Sequence, residues 1–214
     1  TFIAQDMGNC IRAGIPWHGH PVSPGAVLML EAEGVEQLQG RILAWKEHHD
    51  DPPMLPFRVL EEPMDLSSPE GAAALVRTVR GMEAQVGERV ELIIVDPAAL
   101  YMSGSENEDG NRDLARGLNV VAKYLGVGLV VIMHTNASGE RARGTDHFRM
   151  LAGSHIRVEV ADDGNTGVTQ EKVKNTEPRA VLLRPVPVGA SLAFETVERM
   201  SASAYSSRRA SSEW

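Results

Sequence analysis

The residues best suited to chemistry in this chain stand at the ends of apolar runs. Leu92-Ile93-Ile94-Val95 leads without polar interruption into Asp96, and Val27-Leu28-Met29-Leu30 leads into Glu31-Ala32-Glu33-Gly34. A third run, Leu129-Val130-Val131-Ile132-Met133, ends at His134-Thr135-Asn136. An acid in the place of Asp96 can hold a hydrated magnesium ion, which prefers oxygen ligands and commonly takes only one or two carboxylates besides phosphate and water. The plainer alternatives are that Asp96 opens a turn before Pro97 and that Glu31 and Glu33 are solvated junction residues. Two basic sets follow: Arg141 and Arg143 lie in a loop between Gly139 and Gly144. Lys172 and Lys174 lie two apart, on the same side of a strand. His18 and His20 alternate in a loop with no neighbouring cysteine or acid, a poor fit to zinc spacing. A metal-dependent hydrolase built on His18, His20, His48 and His49 is therefore a remote rival.

Elements must position these side chains. Short, wholly apolar runs are the pattern of strands buried on both faces of a parallel sheet. In such sheets ligands bind at the carboxyl ends of the strands. Phe2, Ile3, Met7, Cys10 and Ile11 recur at helical spacing up to Gly14, and Val35, Leu38, Ile42, Leu43 and Trp45 form a second such set. Phe57–Leu60 reads as an edge strand, and Pro69–Gln85 as a helix capped by Ser68 with Pro69 at its first position. Asp113–Leu125 is helical, preceded by a mobile, substrate-facing loop over 98–113. Gly126 and Gly128 come before a strand rather than after one, so they are no dinucleotide fingerprint.

From His155 the texture alternates, and Asp162-Asp163-Gly164-Asn165 is a hairpin-turn sequence. The expected fold is α/β: a mostly parallel central sheet flanked by helices, with an antiparallel C-terminal extension. One domain is expected over 1–200, with a flexible serine-rich tail over 201–214.

The length, 214 residues, suits one α/β domain with a small appendage, and 43% hydrophobic with 23% charged residues is ordinary globular composition. No apolar run of about 18 residues exists to span a membrane. A single cysteine, Cys10, leaves no internal disulfide and makes the cytoplasm the natural compartment. A net charge of −8 argues against coating the whole surface with nucleic acid, though not against a local basic groove.

Strand, helix, strand, helix, strand, with acids at two strand ends and a histidine at a third, resembles a RecA-like P-loop ATPase core. More narrowly, the residues resemble the RepA-like branch of hexameric replicative helicase ATPases of plasmids and phages. The resemblance rests on Thr1-Phe2, Gly14-Ile15-Pro16-Trp17-His18-Gly19, Val27 to Gly34, Leu92 to Asp96, Val131 to Thr135, Arg143-Gly144 and Lys172-Val173-Lys174-Asn175. It implies that Thr1 is the last residue of the phosphate-binding loop and that its hydroxyl and Asp96 hold Mg²⁺ beside ATP. Glu33 is then the glutamate that polarises the attacking water, with Glu31 a poorer candidate. His134 is the polar sensor of the γ-phosphate. Arg143, Lys172 and Lys174 are the cations presented to a neighbour's nucleotide.

The implied partners are identical subunits in a hexameric ring and single-stranded DNA in its channel. Phosphate contacts from Arg141, Arg143 and Arg149 are expected there, with Tyr101 or Phe148 the few aromatics for base stacking. The resemblance also places a glycine-rich loop, its lysine and the preceding strand before Thr1. A chain starting at Thr1 is then expected to be a fragment with weak or no ATP turnover of its own. Asn136-Ala137 stands where the family often has Gly and Lys, which weighs against DNA contact from that loop. A non-catalytic nucleotide-sensing or DNA-binding regulatory module of the same fold is the alternative.

Overall fold

The structure, a computed structural model, describes residues 1–103, 108–134, 145–161 and 163–212. The chain divides into two compact units, Thr1–Leu151 and Ala152–Trp214, rather than running as one domain to residue 200.

In the first unit, α1 (Phe2–Ala13), β1 (Ala26–Glu31), α2 (Val35–His48), β2 (Phe57–Leu60), α3 (Pro69–Val86) and β3 (Val90–Asp96) follow in order. A 3₁₀ turn over Ala98–Tyr101, α4 (Glu108–Leu125), β4 (Gly128–Val131) and α5 (Thr145–Leu151) complete it. The four strands form a parallel sheet in the order β2-β1-β3-β4, with β2 at an edge as its half-exposed residues foreshadow. Because side chains alternate across a strand, Leu28, Leu30, Ile93 and Val95 face Leu75, Val79 and Met82 of α3 and Leu114, Leu118 and Val121 of α4. Val27, Met29, Leu92 and Ile94 face Ala4 of α1 and Leu38 of α2 on the other side. Every residue of β1 is buried, which is why its sequence is a continuous apolar run. Ser68 Oγ accepts from the Gly71 amide and Gly14 closes α1 with φ 68°, so both helix-end signals hold.

One expectation fails at α4. The helix begins at Glu108 rather than at Asp113, and Ala98–Tyr101 is 3₁₀, so a large part of the presumed 98–113 loop is helical. Its core is Tyr101, whose carbonyl accepts from the Leu66 amide at 2.8 Å. Asp65 Oδ1 accepts from the amides of Ser67 and Ser103 at 3.0 and 3.1 Å, and from the Ser67 hydroxyl. These bonds to the ionised form hold the Asp65 carboxyl below the usual range, chiefly the one from the Ser67 side chain. Gly117 of α4 lets the Leu66 carbonyl approach closely, since a Cβ there would lie 2.2 Å from that oxygen.

The second unit contains β5 (Ser154–Val160), β6 (Thr166–Val173), β7 (Arg179–Val188), β8 (Ser191–Ser201) and α6 (Ala202–Ser212). Its strands are antiparallel, in the order β5-β6-β7-β8, and pair among themselves as a sheet of their own. The α/β class stands, with the antiparallel strands forming a separate sheet. The flexible tail does not stand for residues 202–212, which form α6. Tyr205 packs on Ala180 and Leu182, over Gly167, where a Cβ would come within 1.9 Å of the tyrosine hydroxyl. Arg208 pairs with Glu198 at 2.7 Å and Arg209 with Glu159 at 3.0 Å. One anchored aromatic outweighs the serine-rich composition that reads as disorder.

A buried carboxylate secures the first unit away from the strand ends. Asp6, on α1, accepts from Trp17 Nε1 at 2.7 Å and Trp45 Nε1 at 2.9 Å, and lies 3.0 Å from His18 Nε2. These bonds fasten α1 to the loop after it and to α2. Burial, reinforced by Asp6, pushes the neighbouring Cys10 thiol above its ordinary pKa, so it behaves as a neutral core group. Removing the carboxylate strands two buried indole N–H groups, each worth about 1–3 kcal/mol when unsatisfied. Asp6→Ala is expected to lower unfolding free energy by about 3 kcal/mol in urea titration. A loss below about 1 kcal/mol would show that Asp6 does not hold this junction.

Candidate functional site

The chain leaves β1 through α2, on one face, to reach β2, and returns through α3, on the other face, to enter β3. The two connections diverge between β1 and β3. That divergence is the switch point where open α/β sheets keep a crevice at the carboxyl ends of their strands.

Glu31 and Asp96 close β1 and β3 as direct register partners, and each is only 3% exposed. Two carboxylates are thus set side by side at the crevice, an arrangement that costs free energy unless their charge is met. Glu31 meets part of it locally: Oε1 accepts from the amides of Glu33 at 3.1 Å and Gly34 at 2.9 Å. Asp96 is less satisfied, since its buried Oδ2 has no hydrogen-bond partner. The Thr1 backbone nitrogen stands 3.8 Å from that atom, which places the amino end of α1 at the same edge. Glu33 follows in the turn and is exposed.

The ladder continues past β4, with the Ile132 amide donating to Val95 at 2.9 Å and the Ala98 amide to Ile132 at 2.8 Å. The chain therefore leaves at the same carboxyl edge, where His134 is exposed. Four residues singled out from sequence, Thr1, Glu33, Asp96 and His134, lie along one sheet edge.

An orphaned, buried carboxylate oxygen beside a second carboxylate is a fitting donor for a hard cation. Thr1 adds a hydroxyl oxygen at the same end. Among the described residues no three His, Cys, Asp or Glu side chains gather into a metal-binding group. A cation here must complete its shell from water or ligand, as magnesium does. The histidine rival loses its basis: His18 is engaged with Asp6, and His49 stacks on Trp45 with ring centroids 4.0 Å apart.

Arg149 is exposed on α5. Lys172 lies on β6 of the second unit and Lys174 one residue beyond its end, with its amide bonded to Gly153. Arg141 and Arg143 lie outside the described residues. Tyr101 and Phe148 do not serve as stacking platforms: Tyr101 is fully buried, and Phe148 packs against the α3 and α4 core.

Sequence reasoning missed the part Tyr101 plays beside the acids. Its hydroxyl is buried without a partner, and its pKa is pushed up to about 12 by burial, then by Glu31 and Asp96. No periodicity reveals this, because the 3₁₀ turn that aims the ring inward has no apolar repeat. A buried hydroxyl with no partner costs free energy, so Tyr101→Phe is expected to leave stability at pH 7 unchanged or raise it by up to about 1 kcal/mol. In the wild type the folded state retains the phenolic proton after the unfolded chain has ionised near pH 10. Stability is therefore intact below pH 10 and falls as pH rises toward 12, and Tyr101→Phe should blunt that fall. Thermal unfolding at pH 7 and pH 11 checks both; a clear loss at pH 7 would mean that the hydroxyl is satisfied.

Comparison with curated proteins finds no match. Among solved structures, a KaiC-like protein from the hyperthermophilic archaeon Pyrococcus horikoshii OT3 is similar at 12% identity and a TM-score of 0.48, covering 86% of this chain and 98% of its own. The model of the AAA domain family matches residues 1–140, nearly the whole of the parallel-sheet unit. The chain belongs to the AAA domain family, and its first unit is a domain of ATPase type.

Proposed function

We propose that this chain is the ATP-hydrolysing motor domain of a ring-shaped, RepA-like DNA helicase, coupling hydrolysis at subunit interfaces to movement along single-stranded DNA. The observation that supports the reading is that Asp96 ends β3 with the Thr1 nitrogen 3.8 Å from its Oδ2, while the turn carrying Glu33 leaves the neighbouring end of β1. Thr1 and Asp96 would hold a magnesium ion, which neutralises phosphate charge and acts as Lewis acid. The amino end of α1 adds N–H groups suited to an anion. Glu33, exposed in the turn after β1, takes a proton from the attacking water as general base. His134, three residues beyond the end of β4, reads the state of the terminal phosphate.

Arg143, Lys172 and Lys174 serve a neighbouring subunit's nucleotide, where cations supplied across an interface stabilise charge in the transition state. Arg141 and Arg149 contact DNA phosphates. Asp6 and its two tryptophans support this chemistry by holding α1 against α2, the helix that follows the Glu33 turn.

The decisive test is ATP hydrolysis by the natural full-length protein, with and without single-stranded DNA. Hydrolysis stimulated by DNA is expected, and Glu33→Gln should lower kcat at least about 100-fold, the usual contribution of a general base. Turnover indifferent to both DNA and Glu33 would sink the motor reading. DNA affinity should fall steeply with salt and be tolerant of sequence. Arg149→Ala should reduce the slope of log K against log salt by about one. Affinity independent of salt would remove DNA as the partner.

A further inference from the structure

Glu31 is the more deeply buried of the two glutamates in the β1–α2 turn, yet it is not the one suited to meet water. Its Oε1 is committed to the Glu33 and Gly34 amides at 3.1 and 2.9 Å, whereas the Glu33 side chain is exposed. Gly34 is the cap residue of α2 and has no side chain with which to satisfy the first amides of that helix. The last residue of β1 instead accepts from the two amides just ahead of the helix, those of Glu33 and Gly34. The same residue is locked by strand register to Asp96.

We infer that Glu31 is a positioning residue: its carboxylate splints the turn so that Glu33 is held in a fixed relation to Asp96. The inference rests on the ATPase reading above. The backbone of the three-residue turn Ala32-Glu33-Gly34 between strand and helix has several conformations available, and each would carry the Glu33 carboxylate to a different place. Two hydrogen bonds donated by the Glu33 and Gly34 amides to one buried carboxylate oxygen select one of them. General-base catalysis depends on such placement, because a carboxylate displaced by about 1 Å can lose about 100-fold in rate. Glutamine at the same position offers an amide oxygen of the same reach, so the splint depends on the acceptor rather than on the charge. Alanine offers none.

Glu31→Ala, Glu31→Gln and Glu33→Gln would be compared with the wild-type full-length protein by amide hydrogen exchange without nucleotide and by steady-state ATP hydrolysis. In Glu31→Ala the Glu33 and Gly34 amides are expected to exchange at least about tenfold faster, with circular dichroism unchanged. Its kcat should fall at least about 30-fold while KM stays within about threefold. Glu31→Gln should restore both exchange protection and kcat to within about threefold of wild type. If Glu31→Ala matches wild type while Glu33→Gln is inactive, the positioning role is overturned and the ATPase reading survives. Glu31→Gln as inactive as Glu31→Ala would also overturn it, since the charge itself would then be required. Turnover indifferent to Glu33→Gln overturns the ATPase reading and the positioning role together.

Discussion

The pairing of β1 with β3 is the constraint on which the rest depends. Both strands are buried on both faces, so their register is set by layers of apolar side chains above and below, and a slip of one residue would reverse every one of them. That register ends with Glu31 opposite Asp96. Hydrophobic packing thereby forces two carboxylates together, and local chemistry has to answer for them. Glu31 is answered by two amides of the turn that follows it. Asp96 keeps one buried oxygen unanswered, with the Thr1 end of α1 close by. The two neighbouring acids are treated unequally: one is bonded into the turn, and the other keeps a buried oxygen without a hydrogen bond.

Much of this edge was legible in the sequence because it is written in continuous apolar runs. β1 and β3 are two such runs, each ends in an acid, and Phe57–Leu60 read as an edge strand. The cap at Ser68 was equally plain, since a hydroxyl followed by proline at the first helical position has few other uses. What stayed hidden depends on contacts between distant residues. Asp6 meets Trp45, which lies a whole helix and strand away, and nothing at either position signals the pairing. The start of α4 was placed late because its first turn is polar, and apolar periodicity detects only the part of a helix that faces a core. The helix over 202–212 was missed for the same reason: Tyr205 is the one buried residue among those described in it, and a single anchor makes no period.

The distinction between Glu31 and Glu33 shows where pattern reading reaches its limit. The sequence offers two acids two apart at a strand end, which puts both in reach of the crevice by spacing alone. Burial and hydrogen bonding separate them: one is consumed by the turn, and the other is exposed. The choice of Glu33 over Glu31 as the water-polarising acid came from family resemblance rather than from spacing. The geometry supplies a physical reason for Glu31 to be occupied elsewhere.

In the first unit the parts fastened around the crevice are identifiable. Asp6 ties α1 to α2 through Trp45, and Gln5 Nε2 adds a bond to the Leu38 carbonyl at 3.2 Å. The helix that begins at Thr1 and the helix that follows Glu33 are thus fastened to each other at two points. Asp65 and Leu66 fasten the 3₁₀ turn that carries Tyr101. By contrast, the backbone bonds joining the third strand of the edge to its neighbour extend through Ile132, and His134 lies exposed just beyond them. Around the crevice, α1, α2 and the Tyr101 turn are thus each tied down by side-chain or backbone hydrogen bonds.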